Sequence, residues 1–226
     1  MQVIKSTDPS DGVSDLSARL NSSLVEGKKI LWLISGGSNI NSAVKIMNEV
    51  PEKHSDQLTI SLIDERYGEP GHQDSNFQQL LIAGFNPKRA NLIPVLKSGL
   101  DLEHTAKEYE KTLENNLSRA DLTIGLLGIG EDCHIAGILP NSNAAIENER
   151  YVTAYKSETY NRITTTFTLL QELDIVYAFA FGLNKITALK EVTEGSYSAI
   201  EKPAIILRDL KEAYLYSDQV GEEKHE

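Results

Sequence analysis

Short, almost wholly apolar runs recur along this chain, and amphipathic stretches of helical length separate them. Lys29-Ile-Leu-Trp-Leu-Ile34 is the plainest. A strand with no polar alternation is one whose two faces are both covered, as in a parallel sheet flanked by helices. Asp121 to Leu127 and Ile175-Val-Tyr-Ala-Phe-Ala-Phe181 read the same way, and Leu58-Thr-Ile-Ser-Leu-Ile63 is a further strand. Asn91 to Val95, Ala204 to Leu207 and Ala213 to Tyr216 read as shorter strands. Between them, helical spacing is expected over 12–26 (Val13, Leu16, Leu20, Leu24), Ile40 to Val50 with Asn39 or Asn41 as cap, Asn76 to Ala83, Asp101 to Leu117 and Lys185 to Glu194. This alternation predicts an α/β fold with a doubly wound, mostly parallel sheet and helices on both faces. Tyr151 to Tyr155 and Arg162 to Thr168 read as strands of a small additional β region in the second half, followed by a brief helix or turn at Leu169 to Leu173. Asp64 to Ser75 reads as a polar loop.

At 226 residues and 40% hydrophobic, the chain can bury a full core, and one domain over 1–226 is expected. The formal net charge of −11 excludes a broad basic face, so nucleic acid is not an expected partner. Any anionic ligand needs a local cluster of cations and backbone N–H groups. A single cysteine excludes an internal disulfide and fits a reducing cytoplasm. No apolar run is long enough to span a bilayer, and Met1 to Asp8 lacks a signal-peptide core. Gly221 to Glu226 reads as a frayed polar end.

Chemistry-bearing residues fall just after the strands, where an open α/β sheet places its ligands. Ser35-Gly36-Gly37-Ser38 joins a strand to a helix. It is either a tight turn or a cradle in which backbone N–H groups and the helix dipole meet a phosphate. Asp64-Glu65-Arg66 follows the next strand: Arg66 could fork onto an anion, Asp64 or Glu65 could hold a hydroxyl or orient a neighbour, and a solvated charge run fits equally. Asp74-Ser75-Asn76 reads as a helix cap. Gly128-Ile-Gly-Glu-Asp-Cys-His-Ile-Ala-Gly-Ile-Leu-Pro140 puts Asp132 and His134 into the loop after the strand at 121–127. His134 is either a general base or a loop histidine bonded to backbone. Lys185, after Gly182, opens a helix where its charge opposes the dipole, so it is either solvated or offset by an anion. Arg162 could serve the same anion. Cys133 has no ligand spacing to other Cys or His, which excludes a structural zinc site. His54, His72 and His104 lie in polar contexts and read as solvated.

Taken together these blocks resemble the 6-phosphogluconolactonase family, related to glucosamine-6-phosphate isomerase. The family pattern Ser-Gly-Gly-Ser-Thr-Pro matches residues 35–40, Asp-Glu-Arg with a later Ser-Asn matches 64–66 and 75–76, and Gly-x-Gly-x-Asp-Gly-His-x-Ala-Ser-Leu-Phe-Pro matches 128–140. Arg-Ile-Thr matches 162–164, and Gly-x-x-Lys matches 182–185. The resemblance implies a NagB/RpiA-like, Rossmann-type sheet and hydrolysis of 6-phospho-D-glucono-1,5-lactone without metal or organic cofactor. Of the site residues, it implies His134 as catalytic base and Asp132 orienting it or binding a hydroxyl. Ser35, Gly36, Gly37, Ser38, Asp64, Arg66, Asn76, Arg162 and Lys185 would bind the phosphorylated substrate. It implies a small-molecule partner, a cytoplasmic setting, and a monomer or weak homo-oligomer. Cys133 stands where the family has glycine; if that position needs positive φ, strain of roughly 1 kcal/mol or more follows. Asn39-Ile40 replaces Thr-Pro and removes one hydroxyl donor. Two rivals are an aldose–ketose isomerase with Asp64 as base and a non-catalytic sugar-phosphate regulator. Against the isomerase, Arg66 replaces its tyrosine, and Leu139 replaces the glutamate that assists ring opening.

Overall fold

The run at Ile30–Ile34 is buried at all five positions and lies inside a seven-stranded sheet. In this computed structural model, which describes residues 1–220, the chain runs β1 (Gln2–Lys5), α1 (Ser10–Val25), β2 (Ile30–Ile34), α2 (Asn39–Glu49), β3 (Leu58–Leu62), β4 (Asp64–Arg66), α3 (Asn76–Ile82), β5 (Asn91–Leu92) and α4 (Leu102–Leu117). It continues through β6 (Leu122–Gly128), α5 (Asn143–Ile146), β7 (Val152–Lys156), β8 (Asn161–Thr165), α6 (Phe167–Glu172), β9 (Ile175–Phe179), α7 (Ile186–Glu194) and β10 (Ala213–Ser217). The polar tail read at Gly221 to Glu226 lies outside the described residues.

The large sheet has the order β1-β10-β9-β6-β2-β3-β5, and every pairing in it is parallel. From β2 the chain moves outward to β3 and β5, then returns to place β6 on the other side of β2 and continues to β9 and β10. The carboxyl ends of β2 and β6 therefore flank the point where winding reverses, the place an open α/β sheet leaves a crevice for ligand. Trp32, Leu33, Ile34, Leu126 and Leu127 are essentially inaccessible and join the helix faces in one core. Burying each such side chain stabilises the fold by about 1.5–3 kcal/mol.

The small β region is an antiparallel sheet, β4-β8-β7. One of its strands comes from the first half: Asp64–Arg66, expected as the start of a loop, pairs with β8. Three polar residues carry no strand signal of their own, and their partner strand lies far along the chain, with Asp64 opposite Thr164. Ala204 to Leu207 is also not a strand. It forms a 3-10 helix at Pro203–Arg208, opened by Pro203 at its first turn, and Ala204 N–H donates to the Cys133 carbonyl at 2.9 Å. A short apolar run between turn signals fits a buried helical turn as well as a strand. Finally, Ser38 occupies the cap position of α2 without a side-chain cap bond, so neither Asn39 nor Asn41 caps that helix.

Candidate active site

Separate segments of the chain meet at the crevice beside β2 and β6 and line a cavity of about 220 Å³. Ser35, Gly36, Gly37 and Ser38 come from the turn after β2, and Asp64 and Arg66 from β4. Asn76 opens α3, Gly130 and His134 lie in the loop after β6, Arg162 is in β8, and Lys185 precedes α7. Every site residue expected from sequence is in this lining except Asp132, which lines a neighbouring hollow with Leu139, Ser142 and the tip of the β7–β8 hairpin.

The turn after β2 is shaped by its glycines. Gly37 has φ 64°, and a methyl group on Gly36 would overlap the Asn76 amide. Among the described residues, the Ser35 hydroxyl and the Asn39 Nδ2 are buried without a hydrogen-bond partner. A buried donor left unpaired costs about 1–3 kcal/mol. Asn39, where a hydroxyl donor was expected to be lost, thus carries an amide donor beside Gly128.

Along β4 the side chains alternate. Asp64 and Arg66 face the cavity, while Glu65 turns away and is completely buried. The Glu65 carboxylate accepts from Arg66 N (2.8 Å), Asn76 N (2.6 Å), Phe77 N (3.0 Å) and Ser75 Oγ (2.9 Å). Burial raises its pKa, and those four donors work in the opposite direction. It ties β4 to the first turn of α3, and so fixes both Arg66 and Asn76. Asn76 Nδ2 in turn donates to the Asp64 carbonyl at 3.0 Å. The Asp64 carboxyl is also raised by burial, against the pull of Arg66, Arg162 and His134. His72, expected to be solvated, sits within hydrogen-bond distance of the Arg66 carbonyl (2.9 Å).

The loop after β6 is a tight turn closed by Gly130 N to the His134 carbonyl (2.9 Å) and Cys133 N to the Gly130 carbonyl (3.0 Å). Gly130 must lack a Cβ, because a methyl there would overlap the imidazole. His134 Nδ1 lies 2.6 Å from Asp132 Oδ1, which also accepts the His134 backbone N–H at 3.1 Å. Burial works to raise the Asp132 carboxyl, but the bonds and charge of His134 outweigh it and hold it down to about 2. Asp132 is therefore an ionised acceptor that fixes the ring and leaves Nε2 for the cavity. Cys133 has φ 68° and Ala136 φ 52°, so the histidine sits between two strained residues. The Cys133 thiol is buried against Glu191 Oε2 (3.1 Å), which also binds Lys202 Nζ (2.6 Å); burial and that charge push the thiol up to about 12.

Among the described residues, Arg66, Arg162 and Lys185 make no salt bridge. Three cations around one small cavity, beside a single carboxyl, Asp64, whose charged form burial disfavours, form a local anion well in a chain of net charge −11. Tyr160, whose ring contacts both arginines, carries no periodic or motif signal that would assign it to a site, whereas Glu65, read from the sequence as able to orient a neighbour, holds Arg66 N and Asn76 N. Among the described residues no group of His, Cys, Asp and Glu side chains is placed to hold a metal ion.

A profile of the family described as glucosamine-6-phosphate isomerases/6-phosphogluconolactonase matches residues 10–215. The chain belongs to this family. It is 28% identical to a Synechocystis protein named 6-phosphogluconolactonase, over 70% of each chain. It is 30% identical to the Pseudomonas aeruginosa protein of the same name, over 57% of this chain but only 54% of that one. Among solved structures, the Thermotoga maritima 6-phosphogluconolactonase superposes with a TM-score of 0.81 at 21% identity, covering 96% of this chain and 98% of the other. A monomeric glucosamine-6-phosphate deaminase gives 0.76 at 17% identity, over 97% and 98%. These last two establish the fold that both branches share.

Proposed function

We propose that the chain hydrolyses 6-phospho-D-glucono-1,5-lactone to 6-phosphogluconate, with His134 as general base. The observation that carries this reading is the meeting of two chemistries in the lining of one cavity: an imidazole bonded to Asp132, and three cations that make no salt bridge among the described residues. Arg66, Arg162 and Lys185 hold the phosphate dianion with the N–H groups and hydroxyls of Ser35–Ser38, and the Asn39 amide supplies a further donor. Asp64 and Asn76 face the sugar hydroxyls. His134 Nε2 takes a proton from water as the oxygen attacks the lactone carbonyl carbon. Backbone N–H groups or one of the cations stabilise the oxyanion. When the bond from that carbon to the ring oxygen breaks, the imidazolium returns the proton to the ring oxygen. Asp132 holds the required tautomer and stabilises the imidazolium, as the carboxylate does in a Ser-His-Asp triad.

The isomerase alternative lacks a proton-transfer group at 139, where Leu139 packs against the core. A cytoplasmic setting fits the single cysteine; among the described residues no helix is long and apolar enough to cross a membrane.

The test is a coupled assay with freshly prepared lactone, run in parallel with glucosamine-6-phosphate. Turnover of the first and not the second is expected. Lys185→Ala in the same assay should raise KM about tenfold with kcat little changed, the loss of one charge-assisted contact of about 1.5 kcal/mol. Turnover of the amino sugar alone would install the isomerase. Binding of 6-phosphogluconate with no turnover of either would install a regulator.

The Asp132 pair makes a pH prediction. A carboxylate with a pKa of about 2 is ionised at any working pH, so activity lost between pH 7 and pH 4 does not come from its protonation. Asp132→Asn should reduce kcat by about 10–100-fold, because the amide neither fixes the ring tautomer nor stabilises the imidazolium as a carboxylate does. A kcat within about twofold of wild type would remove Asp132 from the pair.

A further inference from the structure

We propose that Tyr160 is a positioning residue whose ring holds Arg66 and Arg162 together as one receptor for a doubly charged anion. The inference rests on the phosphate reading above and names a part of that site that no motif assigns.

Arg66 and Arg162 are direct partners in the antiparallel β4–β8 pair, and both face the cavity. Like charges directly opposite one another destabilise a sheet. The usual remedy is a carboxylate between them, yet neither arginine makes a salt bridge among the described residues. What lies against both is the Tyr160 ring, with the Arg66 guanidinium carbon 5.4 Å and the Arg162 guanidinium carbon 5.7 Å from its centroid. Both distances fall within the range in which the ring quadrupole attracts a cation.

The chemistry of the two remedies differs. A carboxylate would neutralise the arginines, repel an incoming phosphate and have to be displaced. An aromatic face carries no net charge. It steadies the guanidinium planes without adding a second negative charge to that of Asp64, the buried carboxyl of the same cavity whose field both arginines already feel.

The backbone that carries the ring is itself fixed. The β7–β8 hairpin turn is closed at Tyr160 by Ser157 N to the Tyr160 carbonyl (2.9 Å), Ser157 Oγ to the same carbonyl (2.8 Å) and Tyr160 N to Ser157 Oγ (3.2 Å). Among the described residues each guanidinium has one neutral tether, Arg66 to the Asp74 carbonyl (2.9 Å) and Arg162 to Ser157 Oγ (3.3 Å), so most of each donor fork is left for an anion. Among the described residues the buried Arg66 Nε has no hydrogen-bond partner.

The experiment compares Tyr160→Phe, Tyr160→Leu and Tyr160→Met in the full chain, reading KM and kcat for the lactone and the inhibition constant of inorganic phosphate. Phenylalanine keeps the π face and should restore all three to within about twofold. Leucine and methionine keep the apolar bulk without the quadrupole. They should raise KM and the phosphate inhibition constant together by about 5–30-fold, with kcat within about twofold. Two non-aromatic variants guard against one of them failing to fold, which a thermal melt would show. Leucine or methionine behaving like phenylalanine would overturn the proposal and make the ring simple packing. A fall in kcat at constant KM would overturn it too. Arg162→Ala separates the two levels. If it weakens phosphate inhibition while Tyr160→Leu and Tyr160→Met do not, only the role of Tyr160 fails. If phosphate neither inhibits the wild type nor responds to Arg162→Ala, the phosphate reading fails and takes this proposal with it.

Discussion

His134→Ala is expected to lower kcat by about 10²–10⁴-fold, the range a positioned general base contributes, while leaving the thermal midpoint within a few degrees. The two halves of this expectation have separate causes. The side chain is partly exposed, at 36%, and among the described residues it bonds Asp132, itself half exposed, so removing the ring unpacks little. The loop is held instead by backbone bonds: Gly130 N to the carbonyl of residue 134, Cys133 N to the Gly130 carbonyl, and Ala204 N to the Cys133 carbonyl. None of these involves the imidazole. The three cations of the cavity, proposed to hold the phosphate, lie on other elements, so KM should change less than kcat. Steady-state kinetics with freshly made lactone, beside a thermal melt, checks both halves. Near-full turnover would reject His134 as the base; a large drop in melting temperature would show that the ring is structural.

Glu65→Ala should be the most destabilising single change near the site, by about 3–5 kcal/mol. Its carboxylate is completely buried, and three backbone N–H groups and a serine hydroxyl converge on it. Truncation leaves those donors without their acceptor in a place water does not readily reach, at about 1–3 kcal/mol each before relaxation. The first turn of α3 then frays, and Asn76 and Arg66 lose their anchor on opposite sides of it. Chemical denaturation should show the loss of stability, and KM for the lactone should rise in whatever fraction stays folded. Glu65→Gln keeps the acceptor oxygen and should recover part of both. A stability within about 1 kcal/mol of wild type, the low end of one lost bond, would mean that α3 is held by its packing alone.

Much of the sheet could be read directly, because β2, β3, β6 and β9 are strands that solvent hardly touches, and an unbroken apolar run is what such strands require. β1 escaped notice: it is four residues long, sits at the sheet edge and covers only its middle positions. β4 escaped because Asp-Glu-Arg becomes a strand only through β8. The residues lining the cavity were legible for a topological reason. Ser35, Arg66, His134 and Lys185 each follow a strand that ends on the same rim, so knowing the sheet was parallel sufficed to bring them to one side. What sequence order does not encode is which way a side chain turns. Glu65 and Arg66 are neighbours in sequence, yet one anchors a helix from below while the other faces the ligand cavity. Asp132 supports the histidine from a different hollow. Tyr160 meets two arginines only because a hairpin folds it back between them.

A sulfhydryl one position from an imidazole invites the picture of a thiolate nucleophile. The surroundings of Cys133 give the opposite result. With its proton retained to about pH 12 and its sulfur enclosed against Glu191, the group stays in the unreactive form through the whole physiological range. Alkylating reagents and peroxide, which attack the anion, find no target there. His134, the proposed base, thus has beside it the one sulfhydryl in the chain that could have competed as a nucleophile, and the fold keeps it chemically silent.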